Sequence, residues 1–129
     1  MQQRGTLAVR VYSTRARIPV EGATVVVTRQ EGDGLPELLA VRVTDSSGLI
    51  PVVTVDSPGV GESTGPGGQD PFALCTVWAE HSGYSTLRAE GVQIFPGVET
   101  VQEMEMIPLA EGQSSLLRQE VRAAGAQNL

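Results

Sequence analysis

The chain has 129 residues, 40% of them hydrophobic and 19% charged, with a net charge of −6 and a single cysteine. That length and balance describe one domain around one core and exclude a disordered chain. The acidic surface disfavours nucleic acid and anionic lipid, because phosphate binding needs clustered cations, and one cysteine excludes an intrachain disulfide and a cysteine-based zinc site.

Residues 5–12 alternate, with Leu7, Val9 and Val11 on one face and Ala8, Arg10 and Tyr12 on the other, the pattern of a half-buried strand. A loop follows, carrying Arg15 and Arg17, and Pro19 to Gly22 makes a turn. Residues 23–29 read as a strand with Ala23, Val25 and Val27 inward, and 37–44 as another with Leu39, Val41 and Val43 inward. Between them Gly32-Asp33-Gly34 marks a turn, and Asp45-Ser46-Ser47-Gly48 marks the next. Pro51 within 49–55 makes that segment an edge strand or starts it after the proline.

The stretch 57–70 is crowded with glycine and proline and predicts a surface loop without regular structure. Strands are then expected at 74–80, with Cys75, Val77 and Ala79 inward, at 85–90, at 92–95 and at 99–107. In the tail, Leu117, Val121 and Ala124 recur at helical spacing, which predicts a short amphipathic helix stopped by Gly125. The expected organisation is an all-β domain over 1–109 and a tail over 110–129, as a short helix or disordered.

The stretches Gly5-Thr6-Leu7-Ala8-Val9-Arg10-Val11, Pro19-Val20-Glu21-Gly22-Ala23-Thr24-Val25 and Thr44-Asp45-Ser46-Ser47-Gly48, then Val77-x-Ala79 running into Gly83-Tyr84, occur in that order. In this respect the chain resembles the carboxypeptidase regulatory-like domain, over roughly residues 4 to 109. The resemblance implies a seven- to eight-stranded antiparallel Greek-key sandwich of transthyretin-like type and a non-catalytic accessory or scaffold role. The turn chemistry agrees. Pro19 presets its turn, Gly22 and Gly48 are expected at positive φ, and Asp45 can cap the turn amides.

Residues that could carry chemistry are few. His81 is the only histidine, so a two-histidine metal site is excluded, and its place beside Gly83-Tyr84 reads as a turn. Cys75, on an alternating apolar face with no cation within eight residues, reads as a small buried hydrophobe. The Asp45 turn lacks the ligand series of a calcium loop. Glu99, Glu103 and Glu105 read as a solvated strand edge, as carboxylates for an arginine across an interface or, as the least favoured reading, as a metal site, and all nine cations are arginines. No catalytic, cofactor-binding or metal residues are therefore assigned, and no enzyme activity or cofactor is expected.

Tyr12, Trp78 and Phe95 fall on the faces that alternation calls outer, where the tail covers them with Leu117 and Val121, a bulge shifts the register, a protein partner covers them, or they are simply exposed. These five are the candidate interface residues. The expected function is a structural or assembly module, a self-associating subunit of a bacterial surface, spore, filament or phage assembly. The alternative is an accessory module binding a peptide or carbohydrate through its loops. No signal peptide and no apolar run long enough to span a membrane are read, so cytoplasmic synthesis is expected, compatible with release into an assembly.

Overall fold

The structure, a computed structural model, describes residues 3–30, 35–57, 72–110 and 119–123. Eight strands run in chain order: β1 Gln3–Ser13, β2 Thr24–Arg29, β3 Glu37–Val43, β4 Val53–Ser57, β5 Ala73–Glu80, β6 Thr86–Ile94, β7 Glu99–Met106 and β8 Gln119–Ala123. They form two sheets, β4-β1-β7 and β3-β2-β5-β6-β8. Among the described residues there is no helix.

Period-two alternation explains most of the burial. Leu7, Val9 and Val11 from β1, Val53 and Val55 from β4, and Met104 and Met106 from β7 bring the small sheet to the core. The large sheet answers with Val25, Val27, Cys75, Val77, Ala79, Leu87, Ala89, Val92 and Ile94. With so few aromatics the interior is built from valine-sized side chains, each contributing about 1.5–3 kcal/mol on full burial. Val53 begins its strand just after Pro51, on an edge of the small sheet, where a missing backbone donor costs no ladder bond.

The two motif turns grip each other. Gly22 and Gly48 have φ of 81° and 76°, as expected for their turns. A Cβ on Gly48 would run into the carbonyl oxygen of Val11, so both the φ and the close approach require glycine there. Val11 N–H donates to the Gly48 carbonyl at 2.8 Å, and the Val11 carbonyl accepts from Val20 N–H at 3.0 Å. The Asp45 carboxylate accepts from the N–H groups of Ser47 at 2.8 Å and Leu49 at 3.0 Å.

Four expectations need correction. First, β3 does not present Leu39, Val41 and Val43 inward. Ala40 is the buried residue, while Val41 and Val43 are 48% and 60% exposed and Leu39 is half-buried against the core. The pairing with β2 runs Val27↔Ala40 and then Thr28↔Leu38, so Leu39 is an extra residue, a β-bulge. Its cause lies in the turn: Thr44 is buried and hydrogen-bonded, Leu39 also packs inward, and the odd spacing between them forces one break in alternation.

Second, 85–90 and 92–95 are not two strands. Thr86–Ile94 is one strand, β6, with a register shift opposite Thr76, and Gly91 there has φ of 73°. Third, pairing is not wholly antiparallel, since β1–β7 and β6–β8 are parallel. Fourth, 119–123 is a strand where helical spacing predicts a helix. Pairing in parallel with the edge of β6 holds these residues as a strand, whereas a short isolated helix is marginal in water. The turn expected at Gly32-Asp33-Gly34, residues 58–70 of the expected loop, and 111–118 and 124–129 of the tail, Leu117 among them, lie outside the described residues.

Candidate functional site

Cross-strand rows define the outer face of the large sheet. Val41, Val26, Trp78 and Arg88 are successive neighbours across β3, β2, β5 and β6. The flanking rows are Val43, Thr24 and Glu80 on one side and Leu38, Thr28 and Thr76 on the other. Trp78 therefore points outward as alternation predicts, yet it is only partly exposed. The Arg88 guanidinium lies over its ring, 4.9 Å from the centroid, and Arg88 Nη2 pairs with Glu90 Oε1 at 3.1 Å. Val121 sits at the register position beside Arg88 in β8.

The β3 side of this face is apolar and exposed. Leu38, Val41 and Val43 are 61%, 48% and 60% exposed, and Leu74 on β5 is also exposed. Sequence reasoning missed this apolar stripe because it placed Val41 and Val43 in the core. The signal that could have found it is the odd spacing between two inward residues, Leu39 and Thr44.

The outer face of the small sheet is organised around Tyr12, which is 5% exposed despite facing outward. Among the described residues its cover is the loop that follows β1, with no shift of register. Arg17 lies over the ring at 4.5 Å from the centroid. The phenol donates to Glu103 Oε2 at 2.9 Å, and Arg17 Nη2 stands 3.8 Å from the same oxygen. Burial first, then the Glu103 hydrogen bond, raises the Tyr12 pKa above its ordinary 10.0. Ala16 and Arg17 reach this position through left-handed backbone, φ 57° and 53°, held by Ser13 N–H donating to the Ile18 carbonyl at 2.7 Å. Within the chain, arginine thus meets one member of the expected glutamate cluster, Glu103.

Phe95 lies apart from both, at the end of β6, with its ring 5.2 Å from that of Phe72 and inclined at 57°. The structure therefore does not bring Tyr12, Trp78 and Phe95 together: the first is on the small sheet, the second on the large one, the third beside Phe72.

His81 closes the β5–β6 turn. Its Nδ1 is 2.6 Å from the Ser82 carbonyl, and its ring meets that of Tyr84 edge-on at 5.4 Å. Cys75 is buried, and burial pushes its thiol from 9.0 up to about 11, against a smaller opposing pull from Arg29. A thiol held neutral in this way is a poor nucleophile at physiological pH. A shallow depression beside the β6 bulge is lined by Gln30, Leu74, Thr76, Glu90 and Gly91, with Cys75 beneath. Among the described residues no group of three or more His, Cys, Asp or Glu side chains could hold a metal ion. No helix among them is long and apolar enough to cross a membrane.

No family model matches the chain, and no curated protein matches it. Among solved structures it is similar to the Bacillus anthracis TIE protein, at 13% identity and a TM-score of 0.48, covering 83% of this chain and 17% of that one. It is also similar to a 9R-lipoxygenase from Cyanothece PCC8801, at 10% identity and a TM-score of 0.41, covering 95% of this chain and 16% of that one. The chain spans a small part of the length of either, and at this distance neither likeness carries an argument about function.

Proposed function

We propose that the chain is a non-catalytic, self-associating structural module, a transthyretin-like Greek-key sandwich of the carboxypeptidase regulatory-like kind, working as a subunit of a bacterial surface, spore, filament or phage assembly. The observation that carries this reading is the apolar stripe of Leu38, Val41 and Val43 on the outer face of the large sheet. Three adjacent exposed aliphatic side chains on a strand bring a subunit little while wet and much when a second protein surface covers them. The polar groups around Tyr12 and Trp78 support the same reading. Arg17, Glu103, Arg88 and Glu90 are engaged in stacking and pairing with their own neighbours, an arrangement that stiffens a face rather than moving protons. The family part of the proposal is supported by the linked turns, in which Pro19–Ala23 and Thr44–Gly48 are held together by backbone and side-chain hydrogen bonds.

The test is sedimentation equilibrium of the full chain over a wide concentration range. A mass that rises with concentration to a dimer or higher species is the expected result. A monomer at every concentration would overturn self-association.

A further inference from the structure

Resting on that self-association, we infer that the contact is an antiparallel pairing of β3 with β3 of a second copy, in which Glu37 of each chain meets Arg42 of the other. The large sheet ends at β3, and no strand of the described residues lies on its far side. An open strand edge is a template for another strand, and proteins usually blunt it with charge, brevity or cover. The edges of the small sheet are blunted. β7 carries Glu99, Glu103 and Glu105, which would repel a second β7, and β4 is five residues long with Asp56 tied to Arg4 at 3.1 Å. β3 has seven residues and two charges of opposite sign, Glu37 at its start and Arg42 near its end.

A two-fold axis brings those two charges together. When Leu39 lies opposite Ala40 of the second copy, Leu38 falls opposite Val41 and Glu37 opposite Arg42, each pair occurring twice. In a continuous sheet, opposed residues must share a face. The bulge meets that condition: it leaves Leu38 and Val41 both on the outer face, beside Thr28 and Val26, and Glu37 and Arg42 both on the inner one, beside Arg29 and Val25. Without the extra residue, positions five apart would point to opposite faces. The pairing merges the two exposed stripes into one apolar patch of Leu38, Val41 and Val43 from both copies. In the single chain the Arg42 guanidinium donates to the Val41 carbonyl at 2.9 Å, occupying an edge acceptor that a second strand would take over.

A charge exchange tests this. Glu37→Arg and Arg42→Glu alter exposed side chains and should leave the circular dichroism unchanged. Each alone sets like charges against each other at two symmetric contacts and should raise the dissociation constant about tenfold or more. The double variant should restore it. An equimolar mixture of the two single variants should form a heterodimer, because one copy then carries only cations at these positions and the other only carboxylates. Leu38→Lys gives a second route through the outer face and should weaken association as strongly. Association that survives both single charge variants and Leu38→Lys, or a mixture that stays monomeric while the wild type dimerises, would overturn the β3 pairing and leave self-association standing. A wild-type chain that never dimerises would overturn both.

Discussion

At the scale of single residues, Thr44 does more than its place in a turn suggests. It is 3% exposed, its hydroxyl donates to the Val20 carbonyl at 2.6 Å, and it accepts from Ala23 N–H at 2.9 Å. One side chain thereby satisfies two buried backbone groups of the other motif turn. Thr44→Val keeps the shape and strands both partners, so it should cost about 1–3 kcal/mol in urea unfolding, while Thr44→Ser recovers most of that. The residue type is legible in the sequence, but its partners lie more than twenty positions away, and periodicity carries no information about them. Cys75 makes the opposite case, since its burial follows from alternation alone. Its pH behaviour follows from the shift. The folded thiol stays protonated to about 11, whereas the unfolded thiol ionises near 9.0. Below that unfolded value the stability is complete. As pH rises from 9 towards 11 only the unfolded state gains by losing its proton, so the folded state is progressively destabilised. Thermal melts of the wild type should fall across that window, and Cys75→Ala should fall less steeply. Equal slopes would mean that the thiol does not titrate differently in the two states.

At the scale of elements, β3 shows how one extra residue redirects a strand. Up to Leu39 the inward positions follow the odd numbers, and after it they follow the even ones. The physical cause is that the strand is held inward at two points an odd number of residues apart. β6 repeats the device at Gly91, where Ala89 and Val92 both point inward. Val43→Thr should therefore change unfolding free energy by no more than about 0.5 kcal/mol, the range of an ordinary surface change. Val25→Thr, which buries an unpaired hydroxyl in the same sheet, should cost about 1–3 kcal/mol. Equal costs at the two sites would restore the alternation expected from sequence. Elsewhere the strands β1, β2 and β5 carry their expected faces, because each is interior to its sheet and unbulged along its buried run, and there alternation and burial coincide. The tail strand β8 was not legible in the same way, since its pairing depends on an edge that only the folded sheet provides.

At the scale of the whole molecule, the two aromatic sites are independent. Tyr12 is locked by Arg17 and Glu103 on the outside of one sheet, and Trp78 lies under Arg88 on the outside of the other, with the core between them. Tyr12→Phe and Trp78→Ala should consequently have additive effects on stability, within about 0.5 kcal/mol in a double-mutant cycle. A larger coupling energy would mean that the layers communicate through the core. Alternation and turn chemistry in the sequence determined that this chain is all-β, which of its strands are half-buried, where its two glycine turns fall, and that Cys75 is an interior residue. These properties depend on neighbours within one strand or one turn, where period two and positive φ leave a direct mark. Only the tertiary structure decided the parity of β3, the cover over Tyr12, the separation of the three aromatics and the parallel pairings at β7 and β8. Each of these depends on which strand lies alongside and on where a loop returns, and residues far apart in the chain set those through hydrogen-bond register and packing rather than through any local pattern.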